Sequence, residues 1–203
     1  MISRAGAAPR GWGRSGPRSC GCALGRRVWG RAQIQGDIFF LHVFEPVLEY
    51  YRSLLEVLAN NTGVEVHNYG VGAADRTVQV QKRDQGTSAL GGANPECNGD
   101  CATIEIKDAA KVFPIDRTTS GHFLYLNCEG CEYEVLERLI ETGQINAFRV
   151  IHIATHAVNV SSLISRICTI HEFLLTNHFE YLYGFPFAHE RWARRESLQL
   201  GDV

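Results

Sequence analysis

No window of this 203-residue chain approaches the roughly 18 consecutive apolar residues that a membrane-spanning helix requires. A strong charge of either sign is also lacking. The formal charge of −2 gives no reason to expect a nucleic-acid partner. No Gly-x-Ser-x-Gly elbow is present, so Ser88 and His122 do not amount to a hydrolase. Residues 1 to 36 contain no acidic residue, although they hold seven arginines and eight glycines. They carry no sustained apolar period and no continuous apolar core of a secretory signal. This stretch reads as a disordered leader or a translated segment that does not belong to the fold; its arginines leave organelle targeting open, although few serines and its glycines and prolines oppose a transit peptide. The domain is expected over 37–195, with a short tail over 196–203.

What is present describes a globular protein. Apolar residues make up 45% of the chain and charged residues 21%, the balance of a folded domain rather than a disordered one. Its length suits one domain with a sizeable core. The seven cysteines are odd in number, which does not suggest a secreted disulfide framework. Reduced, packed thiols and a cytoplasmic setting are the simplest expectation. Cys97-x3-Cys101 with Cys128-x2-Cys131 supplies the ligand count of a structural zinc site. The second pair flanks a strand-to-helix turn, however, so no metal is expected there. A Cys97–Cys101 disulfide is open if the compartment is oxidising.

The apolar run Phe39-Phe-Leu-His-Val-Phe44 ends in Glu45 and Pro46. Such a run reads as a buried strand, with Pro46 in the first turn of the next helix. Apolar positions then recur at helical spacing from Val47 to Ala59. A strand follows over Val64–Tyr69, running into Gly70-Val71-Gly72, where small residues suit a ligand or a tight turn. Thr77–Gln81 and Thr103–Ile106 alternate as short strands on either side of a long loop over 84–101. His122–Cys128 is a second buried-strand candidate, followed by a helix marked by Val135, Leu136, Leu139 and Ile140. Phe148–Ala154 is a third, ending at Thr155-His156. Residues 160 to 175 read as a helix, and Glu180–Tyr183 and the Trp192 segment as the last strands. Arg191, Arg194 and Arg195 around Trp192 could serve base stacking, but a solvated edge is the simpler reading.

This alternation predicts an α/β domain with a parallel sheet. Polar residues gather where the strands end: Glu45, Asn68 to Gly72, Asn127 to Glu129, and His156. In open α/β sheets ligands bind beyond the carboxyl ends of the strands, where an acid can hold ribose hydroxyls. Glu45 is the candidate for that role; the alternative is a carboxylate that merely caps its own helix.

Taken together, His42-Val-Phe-Glu-Pro46, Val64-Glu-Val-His-Asn68 with Gly70-Val-Gly72, and Leu124-Tyr-Leu-Asn-Cys-Glu-Gly-Cys-Glu132 resemble the FkbM family of S-adenosylmethionine-dependent methyltransferases. The resemblance covers roughly Phe39 to His156. It implies a Rossmann-like, class I methyltransferase sheet with flanking helices. It also implies transfer of a methyl group from S-adenosylmethionine to a hydroxyl of a small molecule or glycan. Glu45, with Pro46, matches the ribose-binding acid, Gly70, Val71 and Gly72 the turn near the adenine, and Glu129 and Gly130 the end of the fourth strand beside the transfer site. Catalysis would fall to Asn127, Glu129 and His156. Two departures stand out. No strand followed by a Gly-rich turn precedes Glu45, and Asn127 occupies the family's usual aspartate. An amide can orient a hydroxyl but cannot remove its proton. An inactive methyltransferase-derived binding module is the rival reading.

Overall fold

The computed structural model describes residues 41–82, 99–113, 122–156, 162–177, 179–184 and 189–196. The leader, most of the loop over 84–101 and most of the tail lie outside the described residues. The chain is a mixed α/β structure with strands in three hydrogen-bonded groups and helices against them. No described helix is long and apolar enough to cross a membrane.

The first group joins β1 (Leu41–Phe44) to β2 (Val64–His67) in parallel, linked by helix α1 (Leu48–Leu58). In the second, β5 (Cys101–Asp108) lies between β3 (Gly70–Gly72), parallel to it, and β4 (Arg76–Gln81), antiparallel. A single helical turn, α2 (Ala109–Val112), follows. The third group has the order β6 (His122–Leu126), β7 (Phe148–Ala154), β9 (His189–Arg194), β8 (Phe179–Gly184). Here β6 and β7 are parallel, while β9 runs antiparallel to both its neighbours. The expected parallel sheet is therefore only partly present: parallel pairs are interleaved with antiparallel ones.

Helix α3 (Cys131–Glu141) ties the groups together. Its apolar stripe of Val135, Leu136 and Leu139 is at most 1% exposed. That stripe shares one core with Leu124, Leu126, Ile151, Ile153 and Trp192, and with Ile170 and Leu174 of helix α4 (Leu163–Thr176). Its polar flank reaches the second group. Arg138 donates through Nε and Nη2 to the two Asp108 oxygens, both at 2.9 Å. Glu134 accepts from Arg76 at 2.6 Å and from the Ala73 amide at 3.3 Å.

Exposure departs from the sequence reading at several elements. β1 was expected to be buried, yet Leu41 is 52% exposed because among described strands β1 pairs only with β2. β6 buries Leu124 and Leu126 on one face but leaves Phe123 58% and Tyr125 49% exposed on the other. No residue of α1 is fully buried: Tyr51, Leu54 and Leu58 on its apolar face are half-buried, while Leu48 and Leu55 are exposed. Pro46 precedes the helix rather than opening it, since Val47 is the N-cap. Trp192 is 2% exposed and donates to Glu190, so it offers no face for stacking a base.

Two outcomes test this account. Leu139→Ala should cost about 2–5 kcal/mol by urea unfolding, as a cavity in a tight core does. Val57→Ala, at a position 75% exposed, should stay within about 0.5 kcal/mol. The Arg138 hydrogen bonds hold the Asp108 carboxyl below its ordinary value of 3.8. A depressed folded-state pKa contributes stability above the unfolded value and loses it as pH falls through the folded one. Arg138→Gln should therefore lower the urea midpoint at pH 7, and its deficit against the parent chain should shrink as the pH drops below 3.8.

Candidate functional site

β6 and β7 are parallel neighbours, so their carboxyl ends lie side by side. The turn after β6 carries Glu129 with φ of 53°, in the left-handed region, and Gly130 with φ of 113° as the N-cap of α3. Only glycine enters that second conformation freely, and a non-glycine residue at positive φ is uncommon. The turn is held by the carboxylate of Glu132, which is 0% exposed. Its Oε2 accepts the Gly130 amide at 2.8 Å. Its Oε1 accepts the His156 amide at 2.8 Å and faces His156 Nδ1 at 3.0 Å. A buried carboxylate without such partners would cost several kcal/mol.

His156, just beyond β7, is thus oriented by Glu132 and presents Nε2 to Glu129 Oε1 at 3.2 Å. The Tyr133 hydroxyl donates to the His156 carbonyl at 2.6 Å. Burial pushes that phenol well above its usual range, so it remains a donor. A carboxylate only accepts, so Nδ1 carries a proton toward Glu132. Nε2 faces Glu129 Oε1, so a proton delivered to either atom can be shared between them. The arrangement is a carboxylate–imidazole pair, Glu129 and His156, braced by a third group, Glu132, that sets the ring orientation.

Of the residues singled out in the sequence, the structure brings Glu129, Gly130 and His156 together around Glu132. The sequence reading names Glu132 only as part of a motif and misses its role. The signal was there: Glu132, Val135, Leu136 and Leu139 share one helical face, so an acid sits on an apolar stripe. Asn127 follows β6 directly and is exposed, outside this hydrogen-bonded cluster.

The other half of the expected site is different. Glu45 Oε1 accepts the Val47 amide at 2.8 Å, so this carboxylate caps its own helix. Burial raises its pKa, partly offset by that hydrogen bond. Asn68 Nδ2 donates to the carbonyls of Glu45 and Pro46 at 3.0 and 3.2 Å, joining the ends of β1 and β2. Gly70-Val71-Gly72 is not a ligand-facing turn but the fully buried strand β3. A Cβ on Gly70 would lie 2.7 Å from Ile106 Cδ1 and 3.5 Å from Pro46 Cγ. On Gly72 it would lie 2.8 Å from Ile106 Cγ2 and 3.0 Å from Glu134 Oε1. Close packing of protein on protein accounts for both glycines.

The cysteines also depart from expectation. Cys128 and Cys131 are joined by a disulfide with their Cα atoms 5.4 Å apart, and Cys101 and Cys168 are disulfide-bonded as well. Bonded sulfurs are neither the packed thiols expected nor zinc ligands; Cys97 lies outside the described residues. Cys128 Sγ stands 3.4 Å from Glu132 Oε2, a contact without a shared proton while the disulfide is intact.

Glu132→Gln should cost at least about 1–3 kcal/mol in urea unfolding, because the amide turns a donor toward groups that are themselves donors. Glu129→Gln, at a partly exposed position, should cost less than half as much. Peptide mapping without reductant should recover the peptide containing Cys128 and Cys131 two mass units light and resistant to alkylation.

No family model matches the chain, and no curated protein matches it. Among solved structures, the chain is similar to the methyltransferase FkbM from Methylobacillus flagellatus KT at 13% identity and a TM-score of 0.44. The match covers 75% of this chain and 36% of that one, so the chain spans about a third of that protein's length.

Proposed function

We propose that this chain is a methyltransferase-like domain that takes S-adenosylmethionine as methyl donor and a hydroxyl of a small molecule or glycan as acceptor. The observation that carries the reading is the Glu129–His156 pair at the carboxyl ends of two parallel neighbouring strands, braced by buried Glu132. The motif phrases that resemble the FkbM family run through the same residues. An alcohol needs somewhere to send its proton as it attacks, and a positioned acceptor of this kind contributes about 10²–10⁴-fold. His156 Nε2 with Glu129 fills that part, which the amide of Asn127 could not.

The fit to the cofactor is uneven. Glu45 commits one oxygen to the Val47 amide, and its second receives no hydrogen bond from a described residue, leaving it suited to a ribose hydroxyl. Gly130 at the transfer end has the small size that close approach requires. Gly70 to Gly72 do not fit an adenine cradle, because they are packed inside the protein. Bound S-adenosylmethionine would supply the electrophilic methyl group. The chain itself would orient the hydroxyl beside His156 and hold its proton between Nε2 and Glu129.

The buried glycines and Asn127 favour a second reading, an inactive domain of the same descent that binds a partner. Isothermal titration separates the two. Saturable heat with S-adenosylmethionine and S-adenosylhomocysteine is expected of the parent chain. Glu45→Gln, which keeps an oxygen for the Val47 amide, should weaken binding about tenfold. His156→Ala should leave that binding within a few-fold. A folded chain that takes up neither compound would be the inactive domain.

A further inference from the structure

We propose a second site, independent of the methyltransferase reading: His42, Glu65 and His67 form a binding site for a borderline divalent cation, zinc foremost. The three residues come from the β1–β2 pair, whose register sets His42 opposite Glu65 and Phe44 opposite His67. Side chains alternate along a strand with period two. His42 and Phe44 therefore share a face, and so do Glu65 and His67. The pairing makes it the same face.

The donor atoms converge. His42 Nδ1 lies 3.1 Å from His67 Nε2 and 3.5 Å from Glu65 Oε2. One ligand atom from each residue falls within 4.8 Å of the others. Zinc at about 2.0–2.1 Å from each nitrogen, with tetrahedral angles, separates two ligand nitrogens by roughly 3.3 Å. The spacing of the two rings is thus already close to that of a filled site, and the exposed Glu65 carboxylate needs only a rotamer adjustment. Two imidazoles and a carboxylate leave at least one position open to water or another ligand, as mixed nitrogen–oxygen sites for zinc and its neighbours do.

The site is also built. The His67 side chain is only 18% exposed, and its ring stacks on Phe44 with centroids 4.9 Å apart and meets Tyr69 at 5.3 Å. Those contacts fix one ligand as a floor, while His42 and Glu65, 52% and 66% exposed, admit the ion from solvent. Lys107 stands 4.0 Å over the Tyr69 ring. Its charge opposes a cation, so a site of moderate affinity is expected rather than a permanent structural ion.

The test titrates zinc chloride into the parent chain, without affinity tag or reductant, by calorimetry and against a chromogenic zinc indicator. One equivalent should bind, and a rise in melting temperature should accompany it. His42→Ala sits at an exposed position and leaves the fold intact; it should lose at least tenfold in affinity and most of the thermal shift. Glu65→Gln should lose several-fold. Cobalt(II) in place of zinc should give visible absorption that His42→Ala abolishes. Absence of saturable uptake by the parent chain would overturn the site. So would uptake that His42→Ala and Glu65→Gln leave unchanged.

Discussion

A carboxylate with no access to water has to be answered by donors, and the fold around Glu132 is arranged to provide them. Glu132 is 0% exposed, and its oxygens meet the amides of Gly130 and His156 and the His156 ring. Those partners belong to two different segments, the turn after β6 and the chain beyond β7. Satisfying one buried charge therefore fixes the mutual position of two strand ends. Removing one member of such a set costs more than the set contributes net, because the remainder stays buried and unpaired. That asymmetry makes the cluster a constraint on geometry more than a reserve of stability.

Helix α3 extends this constraint outward. Its buried face is apolar, but its flanks carry Glu134 to Arg76, Arg138 to Asp108, and Glu137 to Arg166 on α4. Exposed ion pairs contribute little, about 0–1 kcal/mol each. Asp108 is the exception, since it is 6% exposed and receives a two-pronged guanidinium. Such a fork has one good orientation, so it aligns α3 with the end of β5. The second strand group is in this way held to the third through the same helix that starts at the Gly130 turn.

Much of the secondary structure was legible because period and length are local properties. Phe148–Ala154 was read with the bounds it has, and β8, β9 and α4 fell within a few residues. Burial was less legible. An apolar run says that a strand can be covered on both faces, not that a neighbour covers it, and β1 and β6 each leave an apolar face open. The glycines show the same ambiguity in chemical form. Close approach of a ligand and close approach of Ile106 or Pro46 make identical demands on Gly70 and Gly72, so sequence could not separate them. The disulfides were hidden for another reason. Pairing depends on Cα separation, 5.4 Å for Cys128 and Cys131, and an odd count of cysteines carries no such information.

The candidate residues that lie together in the structure are those attached to contiguous strands. Glu129 and His156 follow β6 and β7, whose hydrogen bonds run in register from Phe123 to Leu126, so one strand end predicts the other. Glu45 follows β1, which belongs to a separate pair, and its carboxylate meets the nearest orphan amide of its own helix. A strand-end acid has two competing partners, the first turn of the next helix and a ligand beyond it. The helix is covalently attached and always present, so the cap forms by default and a ligand must share it. His156 faces no such competition: its Nδ1 is held by a buried acid, which turns Nε2 toward Glu129. The Glu129–His156 half of the candidate site is therefore preorganised by the fold, whereas under the proposed function the Glu45 half would have to be completed by what it binds.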